Sequence, residues 1–263
     1  MPMAVSGLAR FFQMTPVQAA LPILNFARLD FVDLLIMLFV MTLSLSLHEF
    51  SHAWMANRLG DDTAALAGRL TLNPLKHLDP IGSLAFLFVG IGWAKPVPVN
   101  PGRFTKAKSI KRGMFLTSIA GPLSNIFLGT LAWILFCLVY TVILATGGGG
   151  NQSLTLTLFT LFYTLFSLNM LLAIFNLLPV PPLDGYKVFG VALPDRWYYS
   201  VMQYERYIGM AFLFVVIFFG SYLSRFLSLI LTPFNYAIQY PITWLFQQLQ
   251  AALGLVPMPM LIG

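Results

Sequence analysis

The residues with the clearest chemical potential are His48, Glu49 and His52, in the run His48-Glu49-Phe50-Ser51-His52. Histidines four apart lie on one face of a helix. From that face two imidazole nitrogens can reach one zinc ion at ~2 Å. Glu49 stands beside them and can accept a proton from water that the metal activates. The five-residue pattern alone is only moderately specific, and its setting sharpens it. LSLSL precedes it and AWMA follows it, so three ionisable side chains fall at the end of an apolar span. Ionisable groups inside a membrane segment are costly and mark function. The competing reading is a polar cluster satisfied within a helix bundle, or a proton relay. A metal ion weighs for the first reading, because it gives the buried groups a common partner.

A catalytic zinc site takes three protein ligands and leaves one position open. The remaining histidine, His77, lies in a polar loop. The better third ligand is Asp184, in Asn176-Leu177-Leu178-Pro179-Val180-Pro181-Pro182-Leu183-Asp184-Gly185. It follows an apolar span that should end on the same side as His52, and its prolines break the helix so that the backbone can turn the carboxylate inward. An isolated PPLDG would read as an ordinary turn. A third constellation is Ala120-Gly121-Pro122-Leu123-Ser124-Asn125. Gly121 and Pro122 would loosen a helix and permit close packing. Asn125 would place an amide in the membrane, and a buried amide needs a partner. Two roles are open to it: a catalytic contact to a substrate carbonyl or its developing oxyanion, or a hydrogen bond between helices.

The elements that must position these groups are membrane helices. Of the 263 residues, 58% are hydrophobic and 9% charged, against roughly 25% charged in soluble domains. Several stretches reach the ~20 apolar residues that cross a bilayer. The chain is therefore expected to be an all-α polytopic helical bundle. Spans are expected at about 31–57, 113–145, 154–178 and 207–231. The run 81–93 is too short to span comfortably and is expected to be re-entrant, dipping in and returning to the same side. The segment 103–112 reads as a surface helix with Phe104, Ala107 and Ile110 toward lipid, or equally as a solvated basic loop. Near the C-terminus Ile242, Leu245, Phe246, Leu249 and Leu253 repeat at helical spacing opposite Gln247, Gln248 and Gln250, the pattern of an amphipathic helix. The first thirty residues lack the pattern of a clean signal peptide and read as mature sequence.

The net charge of +6 does not indicate nucleic acid, because the basic residues cluster in loops between apolar stretches, as cytoplasmic loops do. Lys95–Arg112 carries six of them and should be cytoplasmic; the uncharged loop at Gly147–Gly150 should face outward. Asp184 and the charged loop after it then return to the cytoplasmic side. Cys137 is the sole cysteine, so neither a disulfide within the chain nor a cysteine-based metal site is possible.

HEFSH, AGPLSN and NLLPVPPLDG, in this order on successive apolar segments, together resemble the signature of the site-2 protease family, over about residues 40–190. GRLTLNPLKHLDPIGS and GWAKPVPVNP resemble its compact prokaryotic branch. No insertion or tail has room for the PDZ or CBS domain that many members carry. The resemblance implies a three-helix catalytic core with one zinc ion per chain, inside the cell membrane and toward the cytoplasmic side. It implies His48, His52 and Asp184 as ligands and Glu49 as catalytic acid and base, and it supports a substrate-positioning role for Asn125. The whole chain, 1–263, is then one transmembrane metalloprotease domain, with its core at about 31–190 and a C-terminal span and amphipathic tail at about 207–263. Its partners would be the lipid bilayer and a transmembrane protein substrate, docked on a strand edge at Gly68–Asn73 or Val97–Asn100, or on neither if both are plain loop. A membrane zinc-binding or transport protein is the alternative. It would keep the ligands, but it has no need of Glu49.

Overall fold

The computed structural model describes residues 31–82, 94–147 and 151–260. Among these the chain is helical, with no strands; the extended pieces meet only at an isolated antiparallel bridge between Leu78 and Ala94. We number the helices in chain order: α1 Phe31–Arg58, α2 Thr63–Leu66, α3 Ile110–Ala145, α4 Gln152–Asn176, α5 Asp184–Phe189, α6 Asp195–Gln203, α7 Glu205–Phe218 and α8 Gly220–Ala252. Helices α1, α3 and α4 are long and apolar enough to cross a membrane, and α6 with α7 forms a further candidate bent by 68°. Each long helix follows from an apolar run without a sustained β-branched stretch, bounded by polar or glycine-rich sequence. All but Ile81 and Gly82 of the expected re-entrant run 81–93 lies outside the described residues, as do residues 1–30 and most of the glycine loop after α3.

Contacts group the chain into two compact units. One comprises Thr42–Ile126 and Leu172–Leu227; the other comprises Met1–Met41, Phe127–Leu171 and Ser228–Gly263. In the first, α1 and α3 run antiparallel along residues spaced four apart. Ser44, His48, His52 and Ala56 are buried on α1; Gly113, Thr117, Gly121 and Asn125 are buried on α3. Small residues at this spacing let membrane helices approach closely.

The second unit is built on aromatic packing. Trp133 stacks on Phe136 with centroids 4.9 Å apart, and Phe159 and Phe166 close the cluster at 5.0 and 5.1 Å. The helix expected at 242–253 is present as the end of α8, but Gln250 is buried and Gln247 half-buried, while three of its leucines face outward. Asn235, Gln239, Thr243 and Gln250 are buried, while Leu245, Leu249 and Leu253 are exposed. A bilayer accepts leucine on the outside and drives polar groups inward, where they find partners. Thr243 accepts a hydrogen bond from Trp133 Nε1 at 3.1 Å, and Gln250 donates to Thr141 Oγ1 at 2.8 Å. The expected span at 207–231 is also divided, because α7 ends at Phe218 and α8 starts at Gly220.

The surface helix over 103–112 is not formed. Residues 104–109 are irregular, and α3 begins at Ile110. The Lys106 amide donates to Leu59 O at 3.0 Å, tying this stretch to the chain just past α1. Phe104 packs its ring where a side chain at Gly113 would sit. Those tertiary contacts fix the basic segment as a loop despite its helical spacing.

Thr243→Val keeps the side-chain shape and removes the acceptor for Trp133 Nε1. It should lower stability by about 1 kcal/mol, within the range for unpaired buried donors and for membrane hydrogen bonds. An unchanged thermal midpoint in detergent would show that the indole finds another acceptor.

Candidate metal centre

Every residue of the centre lies in the first unit. His48 Nε2 and His52 Nε2 stand 3.0 Å apart, and Asp184 Oδ2 lies 3.2 Å from the first and 3.1 Å from the second. Among the described residues this is the one group of three or more such side chains placed to hold a metal ion. Ligand atoms of a tetrahedral zinc ion, at bonds of about 2.0–2.1 Å, lie about 3.3–3.4 Å apart. The observed triangle matches that edge closely.

The outer ring nitrogens define the chemistry. His52 Nδ1 lies 2.7 Å from the carbonyl oxygen of Thr117. A carbonyl can only accept, so His52 carries its proton on Nδ1 and presents a lone pair at Nε2. His48 Nδ1 lies 2.6 Å from Asn125 Oδ1, and Asn125 Nδ2 is turned toward Ser44 O at 3.5 Å. The same tautomer follows for His48. With those tautomers two imidazole lone pairs and a carboxylate oxygen converge, the donor set that a cation needs. Partners on the outer nitrogen are what orient ligating histidines in metal sites.

Helix α3 provides this seat with one face. Thr117, Gly121 and Asn125 sit four apart, and a Cβ at Gly121 would lie 2.5 Å from His52 Cε1 and 2.7 Å from His48 Cε1. Only glycine leaves room for both rings.

Asp184 opens α5, after a turn in which Pro179, Pro181 and Pro182 offer no amide hydrogens. Leu183 is extended, which ends the turn and starts the new helix at the ligand. Gly185 sits against the carbonyl groups of Leu177 and Leu178, with no space for a side chain. Farther along, Tyr186 donates from its hydroxyl to Tyr198 O at 2.7 Å, tying α5 to α6, and Lys111 donates to Asp195 at 3.0 Å, tying α6 to α3.

Glu49 is half-buried and accepts a hydrogen bond on Oε2 from the Val97 amide at 2.9 Å. His77, set aside as a ligand, is buried elsewhere, with Nε2 donating to Thr71 O at 2.7 Å. The two possible docking edges are not strands. In one of them Val97 and Asn100 already spend their amides on Glu49 and Asp61. Sequence inspection missed Thr117 and Val97, which act through backbone atoms and leave no side-chain signal. It also missed the packing need for Gly185.

With this geometry in place, comparison with known proteins identifies the class. Residues 36–219 match peptidase family M50, and the chain belongs to that family. It is 41% identical over 180 residues to YwhC of Bacillus subtilis, assigned by name as a zinc metalloprotease; the match covers 68% of this chain and 79% of YwhC. It is 34% identical over 149 residues to Rip2 of Mycobacterium tuberculosis, likewise assigned by name, and there the chain spans about half of the relative's length, 51%. No solved structure matches significantly.

Gly121→Ala tests the seat. Alanine favours helix over glycine by about 1 kcal/mol, so the helix itself should not suffer. Zinc affinity should nevertheless fall at least about 10-fold, as when the partners of ligating histidines are disturbed. Zinc titration of the purified protein reads this directly, and wild-type affinity would show that the rings can shift aside.

Proposed function

We propose that this chain is a zinc-dependent endopeptidase that hydrolyses a peptide bond of a membrane-embedded protein. The observation that carries the reading is the convergence of three lone-pair donors, His48 Nε2, His52 Nε2 and Asp184 Oδ2, next to a carboxylate that is not one of them. A zinc ion held there would acidify water and polarise a carbonyl. Glu49 would accept the proton of the attacking water and deliver it to the nitrogen of the departing amine. A substrate helix hides its peptide bonds in its own hydrogen bonds, so it must unwind locally before Glu49 can act.

Asn125 is fully buried and its Oδ1 faces His48. That supports a role in holding His48 over direct contact with substrate. Asn125→Ala separates the two. Loss of a ring partner should weaken zinc binding about 10- to 100-fold. Loss of an oxyanion donor would leave zinc in place and lower turnover about 100- to 1,000-fold. Zinc affinity and turnover measured on one preparation decide between them.

The main test is cleavage of a reporter transmembrane substrate in liposomes. Glu49→Gln should retain zinc and lose at least about 100-fold in rate, the scale of a general base. Chelation should abolish cleavage and added zinc should restore it. Zinc-loaded Glu49→Gln cleaving at the wild-type rate would sink the assignment of Glu49.

The site is proposed to lie toward the cytoplasmic side. Helix α3 has 36 residues and is about 54 Å long, well beyond a ~30 Å hydrocarbon core, which supports opposite sides for Lys106 and Asn151. In a Cys137→Ser background, cysteine at position 106 should label from the cytoplasmic side and cysteine at position 151 from the other. Labelling of both from one side would refute this topology.

A further inference from the structure

We propose that the segment Lys95–Asn100 is a rigid strap whose Val97 amide, the one backbone donor from Pro96 to Pro98, positions the Glu49 carboxylate for its work as proton acceptor. The proposal rests on the reading of Glu49 given above. Its basis is the segment Lys95-Pro96-Val97-Pro98-Val99-Asn100-Pro101. Pro96 and Pro98 fix their own φ angles and push Lys95 and Val97, the residues before them, into extended conformations. The structure shows the alternation that follows. Val97 and Val99 are half-buried, while Pro96 and Pro98 are exposed. Prolines have no amide hydrogen, so from 96 to 98 the backbone has one donor, at Val97, and Glu49 Oε2 takes it at 2.9 Å.

Both ends of the strap are fixed independently of Glu49. At one end the Lys95 amide donates to His77 O at 2.8 Å, and Arg69 donates through Nη2 to Lys95 O. At the other, the Asn100 amide donates to Asp61 Oδ2 at 2.6 Å. Asp61 is wholly buried, and its other oxygen accepts from the Thr63 amide at 3.0 Å. The strap is thus anchored just beyond the end of α1, the helix that carries Glu49 and both histidines. A glutamate has three rotatable bonds, and the Val97 amide is a hydrogen-bond donor to its carboxylate that restricts them. Oε2 is held by the amide, which leaves Oε1 as the proton-accepting atom. Val97 is a positioning residue: it acts through its backbone, and the identity of its side chain is secondary.

Backbone variants test this, with zinc content and thermal midpoint measured beside cleavage of the reporter substrate. Val97→Ala keeps the amide hydrogen and should cleave within about two-fold of wild type. Val97→Pro removes it and should lower kcat about 10- to 100-fold, with KM and zinc content unchanged, the signature of a misplaced catalytic group. Replacing Val97 with its α-hydroxy analogue exchanges amide for ester, deletes the same hydrogen without adding a ring, and decides the matter if Val97→Pro fails to fold. Independently, hydrogen exchange at the Val97 amide should accelerate about 10-fold or more in Glu49→Ala. A zinc-loaded ester variant with wild-type kcat would overturn the proposal. So would an equal loss in Val97→Ala, which would place the effect in the side chain, or unchanged exchange in Glu49→Ala. Wild-type cleavage by Glu49→Gln would instead remove the role of Glu49 in the reaction, and the exchange measurement would still show whether Val97 holds its carboxylate.

Discussion

Two imidazoles buried among apolar helices have four ring nitrogens to satisfy, and the rest of the site follows from how that is done. Each Nδ1 must meet an acceptor, because an unpaired polar group in a membrane interior is costly. Thr117 O and Asn125 Oδ1 are those acceptors. Once they hold both protons on the outer side, both Nε2 lone pairs face inward with Asp184. A cluster able to hold a metal ion is the consequence of a hydrogen-bond requirement met on one side only. The same requirement fixes the antiparallel register of α1 and α3. A slip of one residue would carry Thr117 O and Asn125 away from the rings, and the notch at Gly121 with them.

Polar groups remote from the metal obey the same rule. In the second unit Thr243 and Gln250 turn inward to Trp133 and Thr141, and Gln250 also accepts from the Met258 amide at 2.8 Å. Near its end helix α8 therefore exposes Leu245, Leu249 and Leu253 and buries Thr243 and Gln250. Membrane hydrogen bonds of this kind contribute only about 0.6 kcal/mol each on average. Their effect is on orientation more than on total stability: they determine which face of α8 is inside.

These cases also show where sequence inspection succeeds and where it stops. The pairing of His48 with His52 is legible because four-residue spacing and helical periodicity coincide, and the approach of Asp184 because a proline-broken turn after an apolar span can bring a carboxylate back to them. The long helices α1, α3 and α4 are legible from length and apolarity alone. The sidedness of α8 is not, because an amphipathic pattern has the same period whichever face is buried, and the solvent decides the sign. The loop at 104–109 has helical spacing that is overridden by contacts with Leu59 and Gly113. Thr117 is hardest of all, since any residue there would supply the same carbonyl.

The ligands and Glu49 pose different mechanical problems. Each imidazole sits on α1 and is held through its outer nitrogen by Thr117 O or Asn125 Oδ1, while Asp184 opens a helix of its own. Glu49 has a longer side chain, and in the proposed reaction it must stay close to the reacting atoms without joining the three clustered donors. Ordering such a side chain costs about 1.5–2 kcal/mol in rotamer freedom. A hydrogen bond to a charged group contributes about 1.5–3 kcal/mol, enough to offset that cost. A backbone amide is well suited to the task, because it cannot rotate away or titrate, and the prolines on either side of Val97 keep it in place. Helices thus bring His48, His52 and Asp184 together, while on the proposed reading a proline-flanked amide orients Glu49.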